Sequence, residues 1–136
     1  MDNYLEEFTR SYLATAQWSS GDGEHENFDD FAWSEQAKEQ AKKDCQTFIE
    51  KVNATFDKDT ARYILNRECQ GPMLAAHDFW LTRVGHGAGF WDGDWNLHPY
   101  KDEPVVPDLG DMLTYISRSF NNLDVYLGDD NLLYFF

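Results

Sequence analysis

Basic residues are scarce in this chain of 136 residues: 11 Lys and Arg stand against 25 Asp and Glu, for a net charge of −14. So negative a protein repels nucleic acid and anionic lipid, which excludes direct nucleic-acid binding through the surface and favours basic partners. Long apolar runs are lacking too, none approaching the roughly 20 residues that cross a bilayer as a helix. The start, Met1-Asp2-Asn3-Tyr4-Leu5-Glu6-Glu7, is acidic where a secretion signal is basic and then apolar. The expected location is therefore the cytoplasm, away from membranes. Cysteine occurs only twice, as Cys45 and Cys69. In a reducing compartment both read as small core or boundary residues, and the chain must build its core without disulfide staples.

The carboxylates are unevenly placed. Residues 1–36 hold nine acids and one base, 37–69 six and seven, and 70–136 ten and three. A nearly neutral middle thus separates two negative ends. The clusters that stand out as a partner-binding surface are Asp22, Glu24, Glu26, Asp29 and Asp30 in the first, and Asp102, Glu103, Asp108 and Asp111 in the second.

Periodicity places the elements. Leu5, Phe8, Tyr12 and Leu13 recur at helical spacing and predict a helix over 3–16. A polar loop at 19–24 follows, after which Phe28, Phe31 and Trp33 pin an acidic segment to the body. Ser34 opens the clearest helix, to about Thr55, with Ala37, Ala41, Cys45, Phe48, Ile49 and Val52 in one stripe and Lys38, Lys42, Lys43 and Lys51 outward among acids. Asp57 or Asp59 caps a shorter helix with Ala61, Ile64 and Leu65, stopped by Gly71-Pro72. Another runs from about Met73 to Val84 and ends at Gly85. A last helix covers 108–121, with Leu109, Met112, Leu113, Ile116 and Phe120 inward. The period then shifts: 124–127 and 132–136 flank Gly128-Asp129-Asp130-Asn131 as a hairpin. Gly89-Phe90-Trp91 is a candidate further strand. The prediction is a single mostly helical α+β domain of four to five helices, with a small antiparallel sheet that includes the C-terminal hairpin.

Unusual residues concentrate between His77 and Trp95. His77, His86 and His98 with Asp78, Asp92 and Asp94 have metal-binding chemistry, but their spacings match no compact ligand motif, so neither metal nor cofactor is expected. Gly85, Gly87 and Gly89 follow a helix rather than a strand, against a phosphate loop. A His-Asp acid–base pair with Arg83 for an anion is one chemical reading, and no Ser or Cys stands in the segment as a nucleophile. The other reading is a buried network of His77, Arg83 and Asp92, with Phe79, Trp80, Phe90, Trp91 and Trp95 as core around it.

The run His77-Asp78-Phe79-Trp80-Leu81-Thr82-Arg83, with Gly85-His86-Gly87-Ala88-Gly89-Phe90-Trp91-Asp92 after it, resembles one found in small uncharacterised proteins of bacteriophages and mobile elements. The likeness extends to Leu127-Gly128-Asp129-Asp130-Asn131-Leu132-Leu133-Tyr134 and covers roughly residues 68–135. Gly93 departs from it, where many relatives carry a polar residue. The resemblance implies an origin and makes His77, Asp78, Arg83, His86, Trp91 and Asp92 motif residues, structural or functional, without supplying an activity. Together with the charge, it points to an interaction protein that inhibits a basic host nucleic-acid-binding or defence factor by mimicry. A regulatory module that binds protein without mimicry and a small enzyme using the segment 77–94 are the alternatives.

Overall fold

The computed structural model describes residues 2–67, 73–86, 88–91, 95 and 108–136. In chain order these form α1 (Asp2–Trp18), β1 (Ala32–Trp33), α2 (Glu35–Thr55), α3 (Lys58–Asn66), α4 (Leu74–Val84), α5 (Leu109–Arg118), β2 (Val125–Leu127) and β3 (Leu132–Phe135). The mostly helical α+β fold and the closing hairpin are as expected. Among the described residues no helix is long and apolar enough to cross a membrane.

Local chemistry sets the helix ends. The Ser34 hydroxyl accepts from the Ala37 N–H at 3.1 Å and starts α2, freeing Ala37, Ala41, Cys45, Phe48 and Val52 to bury one continuous stripe. Ser34→Ala is expected to cost about 1 kcal/mol. A thermal melt should show a fall of a few degrees, and an unchanged midpoint would mean that solvent replaces the cap. Asp57 caps α3, its carboxylate taking the Thr60 N–H at 2.8 Å. Helix α4 stops where Gly85 turns left-handed at φ 68° and gives its N–H back to the Leu81 and Thr82 carbonyls.

Helix α1 packs along α2 and α4, and α5 closes the other side against α4 and α2. Between them lies an aromatic core. Phe48 and Phe79 stack at 4.3 Å, Tyr12 meets the edge of Trp80 at 5.4 Å, and Phe135 of the sheet reaches Trp80 at 5.6 Å. Cys45 is fully buried in α2, and burial pushes its thiol well above the usual range.

Two expectations fail. The sheet is mixed, in the order β1-β3-β2: β2 and β3 are the antiparallel hairpin, but the third strand is Ala32–Trp33, parallel to β3, while residues 89–91 form a turn. Trp33 takes this place because its ring packs on Phe135 at 4.9 Å and the Ser34 N–H binds the Leu133 carbonyl. Met112 is not inward but 37% exposed, since α5 ends at Arg118 and buries the narrower stripe Leu109, Leu113 and Ile116. Gly71, Pro72 and Cys69 lie outside the described residues.

Candidate functional site

The residues of the motif separate into two networks. Arg83 is 8% exposed on α4; its Nη1 donates to Asp44 Oδ2 at 2.7 Å and to the Tyr12 hydroxyl at 3.1 Å, and its Nε donates to the Asn121 carbonyl at 2.8 Å. Its carboxylate partner is therefore on α2; Asp92 lies outside the described residues. Burial raises the Tyr12 phenol far above its ordinary value, so it stays a neutral hydroxyl between Arg83 and the core. Three separate segments are tied together at this one guanidinium.

The second network surrounds Asp78. Its Oδ1 accepts from His77 Nδ1 at 2.9 Å, and its Oδ2 from the Trp95 indole N–H at 2.7 Å. The contact between His77 Nδ1 and Asp78 Oδ1 fixes the orientation of the imidazole ring. Trp18, at the end of α1, stacks on His77 at 5.8 Å and meets exposed His86 edge-on at 6.1 Å, so its indole lies between the two histidines. An oriented imidazole of this kind can act as a base. However, His77 bonds to no Ser, Thr or Cys among the described residues, and no group of three or more His, Cys, Asp or Glu there could hold a metal ion. What the network does is fasten Trp95 and Trp18 to α4. Phe79, Trp80, Phe90 and Trp95 are core, as expected, whereas Trp91 is only half-buried, with the Arg118 guanidinium 5.3 Å above its ring. His98 and Asp94 lie outside the described residues.

The acidic clusters behave differently from the motif. Asp22, Glu24, Glu26, Asp29 and Asp30 are all exposed on the loop between α1 and β1. That loop is held rigidly. Gln17 Nε2 donates to the Phe31 carbonyl at 2.8 Å, Phe28 is 1% exposed, and the His25 ring lies edge-on to Phe31 at 5.0 Å. Asp22 accepts from the N–H groups of Glu24 and His25, which hold its carboxyl below the usual range.

Pairing of β1 with β3 is parallel, with Ala32 opposite Leu132. Strands so paired lie about 4.8 Å apart, and the segments preceding them enter at the same end of the sheet. Asp29 and Asp30 precede β1 by the same number of residues as Asp129 and Asp130 precede β3, so both acidic turns lead into the same end of the sheet. One carboxylate set from each end of the chain thus enters the sheet at the same end. Asp129 and Asp130 were legible only as turn residues of the hairpin, because the pairing that recruits them joins positions a hundred residues apart.

Asp108 and Asp111 do not join them. Asp111 lines a groove with Lys51, Thr55 and Tyr115, at the far end of α2 from Ser34. At 1.5 Å per residue that separation is roughly 25 Å or more. The second predicted cluster is thus divided: Asp108 and Asp111 are exposed on α5, while Asp102 and Glu103 lie outside the described residues. Comparison with protein-family models, with curated proteins and with solved structures finds no match to this chain, leaving the chemistry of its own surface as the basis for a functional reading.

Proposed function

We propose that this chain is an acidic interaction protein of the bacteriophage type that inhibits a basic host nucleic-acid-binding or defence factor, offering carboxylates where that factor takes phosphates. The observation that carries the reading is the parallel register of Ala32 on Leu132, by which the exposed Asp29-Asp30 and Asp129-Asp130 turns lead into the same end of the sheet. Charge that serves only solubility is best scattered, since like charges held together repel and cost stability. Here two turns from distant parts of the chain enter one end of the same sheet, each carrying two exposed carboxylates. A groove lined by Lys and Arg, built to hold a phosphate backbone, is the complementary surface. The protein itself contacts neither nucleic acid nor membrane in this reading, and it acts in the host cytoplasm.

Immobilised protein exposed to a bacterial lysate should retain a basic DNA- or RNA-processing protein and release it to free duplex DNA. Raising the salt from about 50 to 200 mM should weaken retention by about tenfold or more. Asp29→Asn, Asp30→Asn and Asp129→Asn combined should abolish capture, whereas Asp108→Asn with Asp111→Asn should leave it. Capture that ignores both salt and the triple substitution would sink mimicry and favour a binding module that works without it.

A further inference from the structure

On the outward face of the sheet the side chains do something the charge does not require. Leu133 and Phe135 are buried on the inner face, so the alternating residues of β3 point out. Tyr134 lies opposite Tyr126 of β2, and their rings stack at 5.3 Å with planes 17° apart. Phe136 closes edge-on against Tyr126 at 5.0 Å. Tyr126 is 43% exposed and Phe136 65%, in a protein that seals Phe8, Phe28, Phe48, Phe79 and Phe90 completely or nearly so.

This aromatic shelf runs into the acidic edge. Tyr126, Tyr134, Gly128, Asp129 and Asp130 line one open depression. A side chain at Gly128 would fill it, because a Cβ there would lie 2.7 Å from Tyr134 Cε1 and 2.8 Å from Asp130 Oδ1. Asp130 is fixed in place by the Tyr134 hydroxyl and the Leu132 N–H, both of which donate to it. These bonds hold its carboxyl below, and the Tyr134 phenol above, their ordinary ranges, so the wall is an anion and the floor a neutral ring.

We propose that the Tyr126–Tyr134 pair, with Asp129 and Asp130 at its rim, seats an arginine side chain of the basic partner. This rests on the functional reading above and adds to it the residue type that the partner must present. A planar guanidinium lies flat on an aromatic face and offers its fork to a carboxylate in the same plane, whereas a lysine ammonium is a compact, strongly hydrated point charge. Carboxylates alone attract either cation; the paired rings discriminate. Charge also rejects the other occupants. A second copy would bring its own carboxylates against these, and an anionic lipid surface or a nucleic acid would meet them with phosphates.

The probes are fluorescein-labelled oligo-arginine and oligo-lysine peptides of equal length, titrated against the whole protein by anisotropy at low salt. Oligo-arginine should bind about two- to fivefold more tightly than oligo-lysine, the difference an exposed cation–π contact makes. Tyr126→Leu keeps an apolar side chain on the strand but removes the ring, and should erase this preference while oligo-lysine still binds and unfolding stays cooperative. Tyr126→Phe should retain the preference. Equal, salt-sensitive binding of both peptides would overturn the arginine seat and leave the acidic edge standing. Binding of neither would overturn both.

Discussion

Replacing Arg83 by alanine should cost about 3–5 kcal/mol, the range for removing one partner of a buried ion pair. For a domain of this size that is a fall in Tm of roughly 10–20 °C. The size of the effect follows from what stays behind. The Asp44 side chain is only 15% exposed and that of Arg83 4%, so the carboxylate that stays behind keeps the Gln40 amide as a donor but has no countercharge and little water to replace it. The Asn121 carbonyl and the Tyr12 hydroxyl lose their donor at the same stroke. Were the pair hydrated like a surface bridge, the loss would stay under about 1 kcal/mol, which is the result that would contradict this account. A companion variant separates charge from packing. Arg83→Met with Asp44→Leu removes both ions, and most of the lost stability should return, because a well-packed apolar pair often equals the ion pair it replaces. Melting curves of the single and double variants give the comparison directly.

Phe79→Ala should be of similar size, about 3–5 kcal/mol, but for a different reason. Phe79 is wholly buried and touches rings from three directions: Phe48 at 4.3 Å, Phe120 at 4.9 Å and Tyr12 at 5.2 Å. These neighbours belong to α2, the turn after α5 and α1, none of which can close the cavity without giving up contacts of its own. Phe79→Leu keeps most of the volume and should cost less than about 1.5 kcal/mol. Denaturant unfolding would measure both, and near-equal losses would show that ring stacking rather than volume is what the core needs.

How much of this was legible in the sequence depends on how far apart the partners are. The α2 stripe, its Ser34 cap and the Gly85 stop are written in residues three to seven apart, and each is where the pattern put it. Strand β1 was not legible: two residues carry no alternation, and Ala32–Trp33 is a strand only because Leu132 and Leu133 lie beside it. Asp44 shares the polar face of α2 with solvated lysines, and its decisive partner, Arg83, is 39 residues on. The Asp78 network was half readable, since His77 adjoins it in sequence while Trp95 arrives from beyond the turn. The same distance rule divided the acidic surface. The described carboxylates of the two clusters are exposed, but strand pairing leads the Asp129-Asp130 turn, rather than Asp108 and Asp111, into the end of the sheet where Asp29 and Asp30 enter.

That strand pairing also has a kinetic side. Joining β1 to β3 closes a loop of about a hundred residues, so it comes late relative to helix formation, which needs only local contacts. The step carries the Asp29-Asp30 and Asp129-Asp130 turns to the same end of the sheet, and like charge opposes it. Dissolved ions screen such exposed charges beyond about 8 Å at physiological strength. Salt therefore eases the building of the acidic edge and weakens its grip once built.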